Sequence, residues 1–347
     1  MVLMLDTVVE GKIVLHYALP DWLSVLVPIG AIPAFGPHPT MAAVGSVAPA
    51  RSGEAMDAVM QRMSLGGVEI EYAKRGAGDP LVLIHGGVLG DWFVPLSASP
   101  SLDGFCVINV RRPGYGAIPP GRHLTIGDHA SLVAELMDRL DLRKIHCVGH
   151  SSSCLIGLQL AIDRPDLVRS LILLEPAPAG GLQAPASADL AREFIGPAMG
   201  AFAAGDVGRA FDLFLRGVGG DDYRAVIEGR LGGPGYERAV HASPFFFRDE
   251  IHAVQEWQFG PDDAARIRQP VLIVEGGESA RLGPMSRQIT ELAVGLLPHA
   301  EAATIADVNH LMPLQDPDAI GGVVAAFARR HPMSPVGARA SGGSRSE

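Results

Sequence analysis

Two rhythms of apolar residues alternate along this chain. Residues 67–72, Gly-Val-Glu-Ile-Glu-Tyr, switch between apolar and polar at every step, the pattern of an edge strand, and residues 76–80 read as a turn. Residues 81–84 are a continuous apolar run, as expected of a strand covered on both faces, and they end in His85-Gly86-Gly87. Residues 106–110, Cys-Val-Ile-Asn-Val, predict the next strand and lead into the turn-rich stretch 111–116. Residues 128–140 place Leu132, Val133, Leu136 and Leu140 at helical spacing, which predicts an amphipathic helix. Further apolar runs at 145–148, 171–174, 271–274 and 303–305 predict strands, and residues 285–297 and 317–330 predict helices between and after them. Strands alternating with helices in this way predict an α/β fold built on a doubly wound, mostly parallel sheet.

The beat breaks in two places. Residues 181–266 read as several short helices with aromatics at Phe245-Phe246-Phe247 and Trp257, the pattern of an inserted helical lid above the strand ends. Those aromatics read equally well, one by one, as the insertion's own core. The predicted core is thus 65–180 together with 267–332. Residues 1–64 are poorly legible: 1–17 predict a strand or two with a turn at Gly11-Lys12, and 20–53 are rich in Pro, Ala, Gly and Ser. They read either as an arm that packs on the body or on a second copy, giving a homo-oligomer, or as sequence upstream of the true start, since Met56, Met60 and Met63 precede the first clear domain signal. Residues 333–347 read as a disordered tail.

Composition narrows the function classes. With 347 residues, 48% of them hydrophobic, the chain can bury a large core. A net charge of −10 and no Lys/Arg block argue against a nucleic-acid partner. The three cysteines, Cys106, Cys147 and Cys154, lie inside apolar patterns without metal-ligand spacing, so buried free thiols in a reducing compartment are expected. No apolar run reaches the roughly 18 residues of a membrane span, and a basic leader is lacking, which predicts a cytoplasmic protein. No glycine-rich phosphate loop follows any strand and no cluster has metal spacing, so no cofactor and no metal are expected.

The chemistry concentrates at Gly149-His150-Ser151-Ser152-Ser153. A serine pinned between a strand end and a helix start, with small residues two positions either side, forms a turn that lifts its hydroxyl above the sheet. The Ser152 amide and the helix N-terminus then stand ready to receive negative charge. Ser151 is the nucleophile in this register, because counting from Ser153 would put the bulky Leu155 at a small position. The same residues also read as a plain strand-to-helix turn with capping serines. A serine hydroxyl needs a base, and His310, in a loop after a short strand and before the last helix, is the candidate.

From residue 65 to 332 the chain resembles the α/β-hydrolase superfamily. The resemblance rests on His85-Gly86-Gly87, the Gly149–Ser153 turn, an acidic residue after a later strand, and His310, in the superfamily order of serine, acid, histidine. It implies a serine hydrolase acting on ester bonds, of carboxylesterase or lactonase type, with the backbone amides of Gly87 and Ser152 as the oxyanion hole. The usual acid position falls near Ser279, where no carboxylate stands. Glu175 occupies the alternative position after the strand following the elbow, used by haloalkane dehalogenases and certain lactone hydrolases. Glu278 is the second choice and Glu275 a third. His85, Gly86, Trp92, His150 and Trp257 are the expected pocket residues. A serine rather than an aspartate at the elbow argues against dehalogenase and epoxide hydrolase chemistry. The expected partner is a hydrophobic small-to-medium ester or lactone. Carbon–carbon bond hydrolysis, a cofactor-free lyase and non-catalytic ligand binding remain open alternatives.

Overall fold

The computed structural model describes residues 7–9, 12–14 and 60–333. A short hairpin pairs β1 (Thr7–Val9) with β2 (Lys12–Val14), within the stretch expected to hold a strand or two. The remainder of 1–59, with the arm expected there, and the tail beyond 333 lie outside the described residues.

One eight-stranded sheet organises the body. Its strands are β3 (Gln61–Leu65), β4 (Val68–Arg75), β5 (Asp79–Ile84), β6 (Phe105–Arg111), β7 (Ile145–His150), β8 (Val168–Leu174), β9 (Val271–Gly276) and β10 (Ala300–Ile305). They lie side by side in the order β3-β4-β6-β5-β7-β8-β9-β10, and every pairing is parallel except the two that β4 makes with β3 and β6. The catalytic candidates therefore emerge at one end of a shared sheet.

One expectation needs correction here. Residues 67–72 are not an edge strand, because β3 pairs with β4 and takes the edge. The sheet thus begins at Gln61, inside the stretch 1–64 set apart as an extension. The cause is Gly66-Gly67: both have positive φ, 53° and 79°, which a two-residue hairpin turn requires and glycine supplies without strain.

Why the central strands are apolar throughout is seen on β5, where alternate side chains enter different cores. Val82 and Ile84 join the face covered by α1 (Ile126–Arg139) and α2 (Ser152–Asp163), while Leu81 and Leu83 join the face covered by α6 (Pro317–Arg330). Helix α1 starts two residues before the apolar pattern implied, because Thr125 and Asp128 form a capping box. Cys106, Cys147 and Cys154 are buried free thiols.

Between β8 and β9 lies a helical insertion whose longest elements are α3 (Val207–Gly219) and α4 (Tyr223–Phe245), the latter kinked at Gly232. A π-helical turn, Phe246–Glu250, follows α4 directly. The insertion has a core of its own, and that core also takes in Val88, Leu89, Trp92, Tyr115 and Leu311 from the loops at the strand ends. It is thereby seated on the loops at the strand ends, where the candidate site residues lie. The body is completed by α5 (Met285–Leu296). Among the described residues no helix is long and apolar enough to cross a membrane.

Candidate active site

Ser151 follows β7 directly and precedes α2, with φ 54° and ψ −121°. A side-chain-bearing residue at positive φ is strained, and the surrounding bonds hold it there. Its N–H donates to the Leu174 carbonyl (2.9 Å), and its own carbonyl accepts from Cys154 (3.0 Å) and Ala177 (3.2 Å). Gly149 has to be glycine, since an added methyl would lie 2.4 Å from the Ser153 carbonyl. Ser153, where the family pattern ends in glycine, is fully buried and its hydroxyl donates to the His85 carbonyl at 2.5 Å. The extra side chain fits because it ties the elbow helix to the His85-Gly86-Gly87 loop.

His310 Nδ1 stands 2.8 Å from Glu175 Oε2. The other oxygen of Glu175 accepts from the Gly276 N–H (2.9 Å), Ser279 Oγ (2.5 Å) and Ser286 Oγ (2.9 Å). Burial pushes the Glu175 carboxyl up, but the hydrogen bond and charge of His310, with those of Ser279 and Gly276, hold it below its ordinary value. It is a carboxylate kept ionised inside the protein. Ser279, the place where a carboxylate is usually sought, instead donates to the carboxylate that comes from β8. Glu278 points elsewhere and pairs with Arg281 at 2.7 Å. Glu275 is buried on β9, where burial raises its pKa.

Ser151, Ser152, Glu175 and His310 line one cavity of about 1290 Å³, open solvent at its mouth included. Its walls are mostly apolar, with Phe194, Phe214, Val218, Phe246 and Ile251 from the insertion and Met285 and Ile289 from α5. The five expected pocket residues are not among the lining and are corrected as follows. Trp92 packs against the His85-Gly86-Gly87 loop and donates its indole N–H to the Gly87 carbonyl at 2.7 Å. His85 accepts the Arg112 N–H at Nε2 (3.0 Å). Gly86 packs against the elbow, where a methyl would meet His150 Nδ1 at 2.6 Å. His150 donates to the His310 carbonyl (3.0 Å), and burial followed by the neighbouring His310 charge keeps its pKa well below the usual imidazole range. Trp257 stacks on Phe259 with ring centres 5.0 Å apart and donates to Gln159, on the side of the body core. For His85, Gly86, Trp92 and His150, proximity in sequence to the candidate residues misled the reading, since they support those loops from behind; Trp257, expected as an aromatic of the insertion, packs on the body instead.

Gly87 is not in the cavity lining either. An added methyl there would lie 2.6 Å from Phe246 and 3.2 Å from Glu250 Oε1, so the insertion covers this glycine closely. Glu250 had not been singled out from the sequence. It is buried, accepts from Arg112 Nη2 (2.8 Å) and Ser152 Oγ (2.5 Å) at Oε1, and receives the Tyr115 hydroxyl at Oε2. No local pattern marks it: it stands in the charged run Arg248-Asp249-Glu250 after three phenylalanines, and nothing in the sequence separates it from Asp249.

Comparison with known proteins bears on this geometry. The pattern of the family described as "Alpha/beta hydrolase family" matches residues 81–322. The chain belongs to the α/β-hydrolase family. Its fold is that of the family, with the sheet order given above. Among relatives, it is 35% identical over 127 residues to the dihydrolipoyllysine-residue acetyltransferase component of the acetoin cleaving system of Cupriavidus necator, covering 35% of this chain and 33% of that one. It is 33% identical over 125 residues to 2-hydroxy-6-oxo-2,4-heptadienoate hydrolase of Pseudomonas putida, covering 34% and 45%. The chain thus spans a third to under half of these two relatives. Naproxen esterase (carboxylesterase NP) of Bacillus subtilis superposes with a TM-score of 0.62 at 22% identity, covering 78% of this chain and 90% of that one, which is a likeness of fold. α/β-Hydrolase relatives therefore differ in the bond they act on.

Proposed function

We propose that the protein is a serine hydrolase that cleaves a carboxylic ester or lactone of a hydrophobic small-to-medium substrate through an acyl-enzyme. The observation that carries this reading is the His310–Glu175 contact at 2.8 Å opening on the same cavity as Ser151 in its strained turn. Ser151 Oγ attacks the substrate carbonyl carbon and its proton passes to His310 Nε2. Glu175 orients the ring and offsets the charge of the imidazolium. The N–H groups of Gly87 and Ser152 receive the oxyanion; the first N–H groups of a helix have no partner within it, which leaves that of Ser152 available. Collapse of the intermediate expels the alcohol with the proton from His310. Water, activated by the same imidazole, then attacks the acyl-enzyme and releases the acid. The insertion serves as the lid over this pocket.

The charge of the lining favours an ester over the dienoate named for the Pseudomonas relative. The cavity is lined by Glu175, Asp189 and Glu193, and by neither Arg nor Lys. A substrate bearing a carboxylate near the reacting bond would find no cation to pair with, whereas an uncharged acyl chain meets apolar walls.

The test is release of p-nitrophenol from short and medium acyl esters by the native chain and by Ser151→Ala side by side. The expected result is turnover in the native chain and a loss of roughly 10⁴-fold or more in the variant. Equal turnover by both would remove Ser151 from the mechanism. A folded native chain that turns over a vinylogous 1,5-diketone and no ester would replace this reading with carbon–carbon hydrolysis.

A further inference from the structure

Buried behind the oxyanion loop is a set of polar groups that the acyl-transfer scheme does not use. Glu250 stands at its centre. It comes from the insertion, yet its contacts are with the body on both sides of the expected oxyanion site. On one side, Ser152 Oγ donates to Oε1 at 2.5 Å, and Ser152 carries one of the two expected oxyanion amides. On the other side, the Tyr115 hydroxyl donates to Oε2 while accepting the Val88 N–H at 2.9 Å. Val88 directly follows Gly87, which carries the other amide.

Val88 has φ 71°, a strained conformation for a β-branched side chain, kept only when its surroundings over-determine it. The bond to Tyr115 is one such restraint, and Tyr115 is in turn fixed by Glu250. Burial, and then the Glu250 charge, keep the phenol protonated and therefore a donor. Arg112 Nη2, 2.8 Å from Oε1, completes the set. Its charge matters, because a bare carboxylate beside Gly87 would oppose an oxyanion developing there. Arg112 and Glu250 are each buried almost completely. Such pairs gain little net stability over apolar packing, so adhesion alone explains this one poorly.

The geometry points to Glu250 as a positioning residue that assembles the oxyanion hole, holding the Gly87 and Ser152 amides in register through Tyr115 and through the Ser152 hydroxyl. A carboxylate of the insertion is then a working part of the site in the body, and seating the insertion and completing the oxyanion hole are one event. This inference rests on the acyl-transfer reading above. It goes beyond that reading by assigning roles to Glu250, Tyr115 and Arg112, none of which touches substrate.

The experiment compares the native chain, Glu250→Gln and Tyr115→Phe on one p-nitrophenyl ester and with an alkyl boronic acid, which forms a tetrahedral adduct on the serine. Glu250→Gln should lower kcat about 10- to 100-fold with KM changed less than about threefold, since a single oxyanion donor is worth roughly 10²- to 10³-fold. Boronate affinity should fall by a similar factor, because the adduct needs the same N–H groups. Tyr115→Phe keeps the Arg112–Glu250 pair and the Ser152 bond but removes the hydroxyl that links Val88 to Glu250, so it should show the same pattern at smaller size. It also carries the test if Glu250→Gln does not fold. A merely structural role would lower the melting temperature and leave both ratios in place. Folded variants with kcat and boronate affinity within about twofold of native would overturn the inference while native and Ser151→Ala still behave as acyl transfer requires. A native chain that neither turns over esters nor binds the boronate would overturn both.

Discussion

Two buried glutamates flank Ser151, and they are partnered in opposite ways. Glu175 ends a central strand and faces His310, a group that can gain and lose a proton, with two serine hydroxyls and a backbone N–H filling its other oxygen. Glu250 comes from the insertion and faces Arg112, a group that stays charged, with a phenol and the Ser152 hydroxyl beside it. A carboxylate beside a titrating imidazole is compensated only while the imidazole is charged, which is useful in a proton-transfer cycle. A carboxylate beside a guanidinium is compensated always, so it can hold geometry but cannot help move a proton. The two acids have similar burial, and the chemistry of the partner, imidazole or guanidinium, separates the roles proposed for them.

The largest effect that would break this comparison is on turnover. Glu175→Gln should lower kcat by roughly 10³- to 10⁴-fold, as expected when the acid no longer fixes the ring, while Glu278→Ala should stay within about threefold because it loses only a partly exposed ion pair. Steady-state kinetics on one ester decides it. Abolished turnover in Glu278→Ala with near-normal turnover in Glu175→Ala would show the acid to be Glu278.

Acid stability sharpens the contrast between the body and the insertion. His85, His129, His146 and His150 are buried in the body, and burial is the first cause that lowers the pKa of each, to about 3 for His129 and about 4 for His146. Below the ordinary imidazole value of 6.5 the unfolded chain takes up protons that the folded one refuses, so stability falls as pH falls. Each group contributes a slope of up to about 1.4 kcal/mol per pH unit between 6.5 and its folded pKa. Glu175 acts in the same direction but lower: its carboxylate stabilises the fold above its ordinary value of 4.5 and that contribution is lost as pH falls through the lowered folded value. Thermal melts from pH 7.5 to 4.5 should show a steady decline. A melting temperature flat across that range would mean that the four imidazoles take up protons in the fold as readily as in the unfolded chain.

The smallest effect expected is at Trp257. Trp257→Phe removes its hydrogen bond to Gln159 and should cost about 1 kcal/mol of stability, read by urea titration, while leaving kcat/KM within about twofold. A changed acyl-chain preference would return Trp257 to the substrate pocket.

What the sequence made legible follows the range of the forces involved. The strand-to-helix turn at Ser151 and the apolar runs on either side of it are local patterns, and their structure matches them closely. The Gly66-Gly67 turn was equally local, yet β3 was missed because its outward residues Gln61 and Arg62 are polar and exposed, as suits an edge. The pocket was misread for a different reason. Residues next to the catalytic loops in sequence, such as Trp92 and His150, turn into the body, while the walls come from residues 186–195 and 214–218, far along the chain.

By itself, then, the sequence determined the alternation of strand and helix, and hence the sheet, and it determined which serine stands at the sharp turn, since φ/ψ preference and periodicity act over a few residues. Only tertiary structure decided between the glutamates. Glu175 and Glu278 differ by which one the packing of β8 against β9 brings within 2.8 Å of His310, and Glu250 gains its meaning only when the insertion closes on Arg112 and Ser152. Charge and hydrogen-bond geometry act through space, and a linear pattern does not encode which distant groups the fold will place together.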